Sequence, residues 1–186
     1  HEDGSAIVTH FPHDADLAAI TDAIVAADGG ARIVTSVAPV ADWSQWRASV
    51  RAHTLGELTI MPPWLATGAA NEVVIDPAMA FGTGEHATTR GVVRLMQQMT
   101  PLPNKIADLG AGSAVLSICA AKLGGQHIVA IELDPDAIGN AEENVLVNGV
   151  SAAVTIIEGD AALLLPLVAP LELVSANITS SFLVGV

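Results

Sequence analysis

After Lys105, short apolar segments alternate with longer segments whose apolar residues fall at helical spacing. Four of these segments predict strands, namely KIADLG, HIVAIE, AVTIIEGD and LELVSAN. The segment SAVLSICAAKLGG predicts an apolar helix, and Asp134 and Pro135 suit the N-cap and the first position of a second helix. Strands that alternate with helices form a parallel sheet with right-handed crossovers, so the sequence predicts an α/β fold. Ligands of such sheets bind at the carboxyl ends of the strands.

The first of these strands ends in a glycine turn, DLGAGSAVLS. Gly110 and Gly112 allow the backbone to turn tightly and to approach a ligand closely. The dinucleotide fingerprint requires a third glycine at the position of Val115, so the pattern does not favour NAD. About twenty residues after the glycines, Glu132 ends the second strand, where a carboxylate can accept both hydroxyl groups of a ribose. We therefore favour ribose binding for Glu132 over an exposed glutamate without a role.

Polar residues also follow the third and fourth strands. Asp160 in IIEGDA is placed to receive the amino group of an adenine, and a plain turn residue is an equally good interpretation. Asn177 in VSANI offers both a donor and an acceptor, so it either caps the next helix or orients a ligand. The six histidines are scattered and predict no metal site. His86 is either a base or, more commonly for such a residue, a hydrogen-bonding partner within its loop.

The N-terminal part of the chain has a different organisation. Residues 1–38 contain SAIVTHF, DADLAAITDAIVAA and ARIVTSVAP, which predict a strand, a helix and a strand, or part of a small α+β domain. Residues 39–70 predict a linker with a connecting helix, DWSQWRASV, and a short strand, GELTIMPPW, that is ended by prolines. Residues 71–186 contain the predicted parallel sheet.

The charge of the chain limits its partners. Its 186 residues include 20 Asp and Glu against 7 Lys and Arg, which gives a formal net charge of −13. Direct nucleic-acid binding requires clustered cations, so we predict none. An acidic surface suits a basic partner protein, and the need for solubility explains the charge equally well.

Cys119 is the only cysteine and lies in the predicted apolar helix. A lone cysteine excludes an internal disulfide and is consistent with a reducing compartment. We interpret it as a packed structural thiol rather than a nucleophile. No apolar run reaches membrane-spanning length, and the most apolar segment, LLLPLVAPLELV, is interrupted by two prolines and a glutamate. We therefore predict a cytoplasmic protein that makes no membrane contact.

The segments VIDPAMAFGTGEHATTRG, IADLGAGSAVLSICAAKLGG, VAIELDPDAIGNAEENVLVNGV and SANI follow one another in this order. Together they resemble the ribosomal protein L11 methyltransferase family (PrmA), whose members use S-adenosylmethionine. The likeness covers nearly the whole chain, and the FGTG-x-H-x-TT element is specific to this family. The resemblance implies the Rossmann-like, doubly wound parallel sheet of class I methyltransferases, preceded by part of a small α+β substrate-recognition domain.

The same resemblance implies roles for individual residues. Phe81 would cover the cofactor, and Thr89, together with Thr88, would hydrogen-bond it. The backbone around Gly110 would hold the methionine part, and Asn177 would be the catalytic residue where the target amine meets the methyl group. Asp160 comes from a broader methyltransferase pattern. The full set of implied cofactor-binding residues is Phe81, Thr83, Thr88, Thr89, Asp108, Gly110, Gly112, Glu132, Asp160 and Asn177.

By this resemblance, the chain is expected to methylate amino groups, at lysine or at the N-terminal amine, of ribosomal protein L11, a basic partner. Alignment of the two reactants can supply about 7–11 kcal/mol of such a barrier, so neither a metal nor a covalent nucleophile is required. The alternative is a non-catalytic scaffold that retains the cofactor turn, and an NAD-dependent oxidoreductase is less favoured still.

Several features depart from the family pattern. Ala114 replaces the third glycine of the G-x-G-x-G turn, which adds a methyl group where the backbone approaches the cofactor and is expected to weaken binding. Ala87 stands where proline is common, and Glu132 replaces the more usual aspartate. The family has a complete N-terminal domain and a seven-stranded sheet, whereas only four strands are predicted here. We therefore expect this chain alone to be poorly active.

Overall fold

A computed structural model of the chain describes residues 2–3, 6–7, 9, 11, 15–36, 50–76, 84 and 86–178. The chain forms two compact units, His1–Trp43 and Ser44–Val186. The connecting helix predicted over DWSQWRASV lies outside the described residues. The domain boundaries that we placed at residues 38 and 70 remain a prediction.

The described part of the first unit contains a short antiparallel hairpin and one helix, namely β1 (Glu2–Asp3), β2 (Ala6–Ile7) and α1 (Leu17–Ala27). Asp16 caps α1 by accepting hydrogen bonds from the backbone N–H groups of Ala18 and Ala19, both at 3.1 Å. The strand predicted over ARIVTSVAP is wrong for residues 31–36, which are irregular, with Val34 78% exposed. Alternating apolar residues form a strand only beside another strand, and none of the described strands pairs with this segment.

The second unit begins with a three-stranded sheet of order β3–β4–β5, formed by His53–Leu55, Leu58–Met61 and Glu72–Val74. Strands β3 and β4 are antiparallel, and β4 and β5 are parallel. Strand β4 confirms the short strand predicted before the prolines. Helix α2 (Ala87–Gln98) is bound to the turn between β3 and β4 through Gln97. This side chain donates to the Leu55 carbonyl and accepts from the Glu57 N–H, both at 2.8 Å.

The main sheet has the strand order β8–β7–β6–β9, and all of its strands are parallel. Its strands are β6 (Lys105–Leu109), β7 (His127–Glu132), β8 (Val154–Glu158) and β9 (Leu173–Ala176), which confirms all four predicted strands. The connecting helices are α3 (Val115–Lys122), α4 (Pro135–Val147) and α5 (Ala161–Val168). Strand order reverses between β6 and β9, which makes the carboxyl end of β6 the expected ligand position.

Apolar layers cover both faces of this sheet. On one face, Ile106 and Ile128 pack in a cluster that also contains Ile118 of α3 and Val145 of α4. On the other face, a smaller cluster, Ala107, Leu109 and Ile131, packs against Leu164 and Leu165 of α5. Helices on both faces of a parallel sheet define the doubly wound α/β fold, as predicted.

Cys119 of α3 belongs to the larger cluster and is fully buried. Burial raises the pKa of its thiol to about 12, because the thiolate would be poorly solvated there. The interpretation of Cys119 as a packed structural thiol is therefore confirmed. Within the described residues, we find no helix whose length and apolar character would allow it to span a membrane.

Candidate active site

The glycine turn follows β6 and is fastened to the end of the neighbouring strand β7. The N–H groups of Gly110 and Ala111 both donate to the carbonyl of Ile131, at 2.8 and 3.1 Å. Gly110 and Gly112 have φ values of 66° and 53°, which glycine adopts without strain. A Cβ at Gly110 would also overlap Cγ2 of Ile178, so this position requires glycine for space as well as for conformation.

Ala114 also has a positive φ, like Gly110 and Gly112. Its φ of 62° and ψ of 20° place it in the left-handed region. Its methyl group is fully buried in the larger apolar cluster, as the N-cap residue of α3. The expected reason for weaker ligand binding is therefore wrong, because the methyl group packs into the core. What alanine costs here is backbone strain, about 1–2 kcal/mol for a residue with a side chain in this conformation.

Glu132, at the end of β7, joins the glycine turn to the start of α4. One carboxylate oxygen, Oε2, accepts the N–H of Gly112 at 2.7 Å. The other, Oε1, accepts the N–H groups of Leu133 and Asp134 at 2.8 and 2.9 Å. The side chain is half-buried, so it lies at the surface of the turn with its direction fixed by three backbone donors.

Asp108 lies in β6, two residues before Gly110, and is 1% exposed. Its Oδ2 accepts the N–H and the hydroxyl of Ser117 at 3.1 and 2.7 Å, and its Oδ1 accepts the hydroxyl of Ser175 at 2.8 Å. Burial raises the pKa of the Asp108 carboxyl, and the charge of Glu132 raises it further, against the opposing effect of the serine hydrogen bonds. Asp108 therefore links β6 to α3 and to β9 through these hydrogen bonds.

These contacts decide the electrostatic character of the turn. Its N–H groups at Gly110, Ala111 and Gly112 donate to protein oxygens, and the N–H of Ser117 in α3 donates to Asp108. A phosphate-binding turn instead leaves such groups directed at the ligand. Because these N–H groups are engaged and the Glu132 carboxylate is bound to the turn, the site favours a ligand that carries positive charge or hydroxyl donors over one that carries phosphate.

Thr89 and Asn177 meet beside the turn. The amide Nδ2 of Asn177, which follows β9, donates to Oγ1 of Thr89 in the first turn of α2 at 3.0 Å. Thr89 is 1% exposed and Asn177 is half-buried. Leu109 of β6 pairs with Ala176 of β9, so Gly110 and Asn177 leave the sheet side by side. The structure thus brings Thr89, Gly110, Gly112, Glu132 and Asn177 to one edge of the sheet.

Thr88 lies at the exposed start of α2. Its N–H donates to Nδ1 of His86 at 3.3 Å, and its hydroxyl is 2.7 Å from the same nitrogen. His86 therefore acts as the N-cap of α2, which agrees with the interpretation of this histidine as a hydrogen-bonding partner.

The described part of the FGTG element is Gly84, which is buried with a φ of 83°. A Cβ there would lie 2.9 Å from Cγ2 of Ile60, so the last glycine of the element fits closely against β4. Phe81 and Thr83 lie outside the described residues.

Asp160 is exposed and caps α5, since its carboxylate accepts the N–H of Ala162 at 2.9 Å. It stands two strands away from β6 and makes no described contact with the other predicted site residues. Assignment of Asp160 to an adenine amino group stays a prediction. Among the residues that the structure describes, no three His, Cys, Asp or Glu side chains are grouped to hold a metal ion.

Sequence reasoning missed Ser117, Ser175 and Asn144. The two serines complete the hydrogen bonds of Asp108, and Asn144 of α4 donates to the carbonyl of Ser113 in the turn at 3.1 Å. Ser117 and Asn144 are buried polar residues on helices, and Ser175 interrupts an apolar strand. A polar residue among apolar neighbours was the available signal.

Comparisons with known proteins agree on one family. The family model described as "Ribosomal protein L11 methyltransferase (PrmA)" matches residues 2–185. A ribosomal protein L11 methyltransferase from Exiguobacterium sibiricum is 40% identical over 139 residues, which cover 73% of this chain and 43% of that protein. One from Bacillus cereus is 36% identical over 148 residues, or 76% of this chain and 47% of that protein.

One solved structure of a member of this family is also similar to the chain. The ribosomal protein L11 methylase of Lactobacillus delbrueckii subsp. bulgaricus has a TM-score of 0.60 and 29% identity. The match covers 71% of this chain and 68% of that one. The chain spans less than half the length of the curated relatives named above.

Proposed function

We propose that this chain, which belongs to the ribosomal protein L11 methyltransferase family, binds S-adenosylmethionine at its glycine turn and transfers the methyl group to amino groups of a basic ribosomal protein. The observation that supports this cofactor most directly is the pair of carboxylates at the turn. Glu132 and Asp108 already occupy N–H groups that a pyrophosphate would require. S-adenosylmethionine brings a sulfonium, an ammonium and a ribose to the same place, and each of these suits a nearby carboxylate.

The donor and acceptor chemistry of the turn fits this group. Glu132 would accept the ribose hydroxyls, because its carboxylate is half-exposed at the strand end beside the turn and its direction is fixed by backbone N–H groups. Asp108 would act indirectly, since it is buried and its oxygens are engaged by serines. Through Ser117 and Ser175 it would hold in position the end of β6, from which the turn begins.

When bound, S-adenosylmethionine supplies an electrophilic methyl group on its sulfonium. The chain's own task is to hold a neutral amine in line with that group. In the proposed mechanism, Asn177 presents its Oδ1 to an N–H of the amine, while its Nδ2 is fixed by Thr89. Because Nδ2 is held by Thr89, the direction of Oδ1 is fixed, so a hydrogen bond to it would orient the amine nitrogen. Alignment of this kind is worth about 7–11 kcal/mol in well-oriented systems.

We further propose that the target is ribosomal protein L11, at lysine side chains or at the N-terminal amine. The relatives carry this name, and a net charge of −13 suits attraction to a basic protein. A substrate of this kind would place the protein in the cytoplasm.

Titration calorimetry with S-adenosylmethionine, with NAD as control ligand, tests the cofactor. We expect binding of the first ligand alone, and its loss in Glu132→Ala. Glu158→Ala is the matched control, because Glu158 ends the adjacent strand β8 at the position paired with Glu132. Binding of NAD in preference to S-adenosylmethionine would overturn the proposal.

A second experiment tests catalysis. The chain is mixed in excess with L11 and S-adenosylmethionine, and the mass of L11 is followed for additions of single methyl groups. We expect incorporation in the native chain and none in Asn177→Ala. Cofactor binding without any incorporation would instead support the non-catalytic scaffold.

A further inference from the structure

Asn177 leaves the main sheet directly after the last backbone pair of its strand. Leu109 of β6 pairs with Ala176 of β9, and the next residues of the two strands are Gly110 and Asn177. In the described part of the chain, β6 has a partner strand on both sides, whereas β9 pairs with β6 alone. The position of Asn177 relative to the glycine turn therefore depends on contacts between these two segments.

Ser175 of β9 supplies one such contact. It is 6% exposed, and its register partner on β6 is Asp108. The Ser175 hydroxyl donates to Oδ1 of Asp108 at 2.8 Å. This hydrogen bond joins the two strands two residues before Asn177 on one strand and two residues before Gly110 on the other. It therefore adds a side-chain contact to the backbone ladder close to the end of both strands.

Ile178 supplies a second contact, on the other side of Asn177. Its side chain is half-buried, and its Cγ2 lies so near Gly110 that a Cβ at that position would overlap it. A methyl group of Ile178 thus packs against the backbone of the glycine turn. Asn177 lies between two residues that contact β6 or the turn, while its own amide is held by Thr89 at 3.0 Å.

We infer that Ser175 and Ile178 are positioning residues that fix the distance between the glycine turn and Asn177. This inference rests on the proposed function, in which the turn holds the methyl donor and Asn177 receives the amine. Methyl transfer requires the two reactants to be close and aligned, and a misplacement of about 1 Å can lower a rate by about a hundredfold. Ser175 and Ile178 would act through Asn177, without touching either reactant.

The first test compares Ser175→Ala with Ser117→Ala and Val174→Thr. Each alanine variant removes one hydroxyl that lowers the pKa of Asp108, so the two match in the direction of their effect on this carboxyl. Only Ser175 lies on the strand that leads to Asn177. Val174→Thr controls for changes in β9 itself, because Val174 is the adjacent residue and is 44% exposed.

Two quantities are measured in the 186-residue chain, namely the single-turnover rate of methyl transfer to L11 at saturating cofactor and the Kd for S-adenosylhomocysteine. We expect Ser175→Ala to lower the rate by about tenfold or more and to change the Kd by less than about threefold. Ser117→Ala should change the rate and the Kd by similar factors, because Ser117 contacts Asp108 from α3. Val174→Thr should behave as the native chain does.

The second test compares Ile178→Ala with Ile178→Val. Valine keeps Cγ2, the atom that lies against Gly110, and alanine removes it. Ile178→Ala should therefore lower the rate more than the affinity, whereas Ile178→Val should retain most of the rate. Urea unfolding of each variant checks that folded proteins are compared.

A third measurement requires no cofactor. The side-chain amide of Asn177 is observed by NMR in the ligand-free protein and is assigned by its absence in Asn177→Asp. We expect the amide protons to exchange faster with solvent in Ser175→Ala and in Ile178→Ala, because the residue that bears them is held less firmly against Thr89. The signals in Val174→Thr should match those of the native chain.

A loss of rate in Ser175→Ala that is no larger than its change in Kd would overturn the inference and leave the proposed function intact. Native exchange of the Asn177 amide in both Ser175→Ala and Ile178→Ala would do the same. If the native chain transfers no methyl group to L11, the proposed catalysis is overturned, and the exchange of this amide alone then decides whether Ser175 and Ile178 fix Asn177.

Discussion

The amide of Asn177 donates to the hydroxyl of Thr89 at 3.0 Å, although the two residues are 88 positions apart in the chain. Thr89 belongs to the first turn of α2, and Asn177 follows β9. The contact joins the segment that resembles FGTG-x-H-x-TT to the sheet edge beside Gly110. A helix that lies outside the main sheet thereby fixes the orientation of the residue proposed to receive the substrate amine.

Replacement of Thr89 by valine tests this contact. The Thr89→Val variant keeps the shape of the side chain but leaves Asn177 Nδ2 without its acceptor, so the free energy of unfolding should fall by about 1–3 kcal/mol. Methyl transfer should fall further than cofactor affinity, because the Asn177 amide can then rotate. Urea unfolding and single-turnover methylation measure the two effects.

Thr88→Val is the matched control, since Thr88 is exposed and bonds only to His86 among the described residues. Its effect on unfolding should stay within about 0.5 kcal/mol, as for most surface substitutions. Equal effects at positions 88 and 89 would contradict a specific role of the contact between Thr89 and Asn177.

Glu132→Gln should disrupt the glycine turn through a single atom. The glutamine carbonyl can still accept from Leu133 and Asp134, but its amide group cannot accept the N–H of Gly112. Loss of this hydrogen bond to a charged group should lower the free energy of unfolding by about 1.5–3 kcal/mol, and loss of the carboxylate charge at the turn should lower cofactor affinity by about tenfold or more. Calorimetry measures this loss, and Glu158→Gln should bind as the native chain does.

The extent to which the sequence predicted this site depended on how local each signal is. The four strands of the main sheet and α4 were predicted from short-range patterns of apolar and capping residues. Glu132 and Asn177 were predicted as site residues because they lie at the carboxyl ends of predicted strands, where parallel sheets bind ligands. Helix α2 went unpredicted because its start is rich in threonine and glycine, and α5 because Pro166 interrupts an apolar segment. In the sequence, Asn144 and Asn148 resemble residues on the exposed face of a helix, because nothing local shows that the segment of β5, some seventy residues earlier in the chain, lies against them.

Ala114→Gly should have little effect on cofactor binding. Glycine would relieve about 1–2 kcal/mol of left-handed strain. The same change removes a buried methyl group, worth about 0.8 kcal/mol, and adds flexibility to the unfolded chain, worth about 0.4–1 kcal/mol. The terms nearly cancel, so the free energy of unfolding should change by less than about 1 kcal/mol.

Because the methyl group lies in the core, the Kd for S-adenosylmethionine should stay within about threefold of the native value. Urea unfolding and calorimetry on the same preparation check both statements. A tenfold gain in affinity would show that the alanine obstructs the ligand after all.

The buried carboxyl of Asp108 should make stability depend on pH. Burial raises its pKa above the 3.8 of an exposed aspartate, so the folded chain keeps the proton at pH values where the unfolded chain has released it. Its contribution to the free energy of unfolding is fully present below the unfolded pKa and is lost as the pH rises through the folded pKa. Asp108→Asn does not titrate at this position, so the variant should gain stability relative to the native chain as the pH rises, by about 1.4 kcal/mol for each unit of pKa difference.

Ser175→Ala tests whether the pH dependence of stability comes from titration of Asp108 rather than from a general effect of Asp108→Asn. The Ser175 hydroxyl donates to the ionised carboxyl and lowers its pKa, so its removal should raise the pKa of Asp108 further. In the native background, Ser175→Ala should therefore cost more stability at neutral pH than near the unfolded pKa. In the Asp108→Asn background the cost of Ser175→Ala should be the same at every pH. Unfolding of the four proteins from about pH 4 to pH 8 measures this cycle. A cost that varies with pH in both backgrounds would assign the titration to a group other than Asp108.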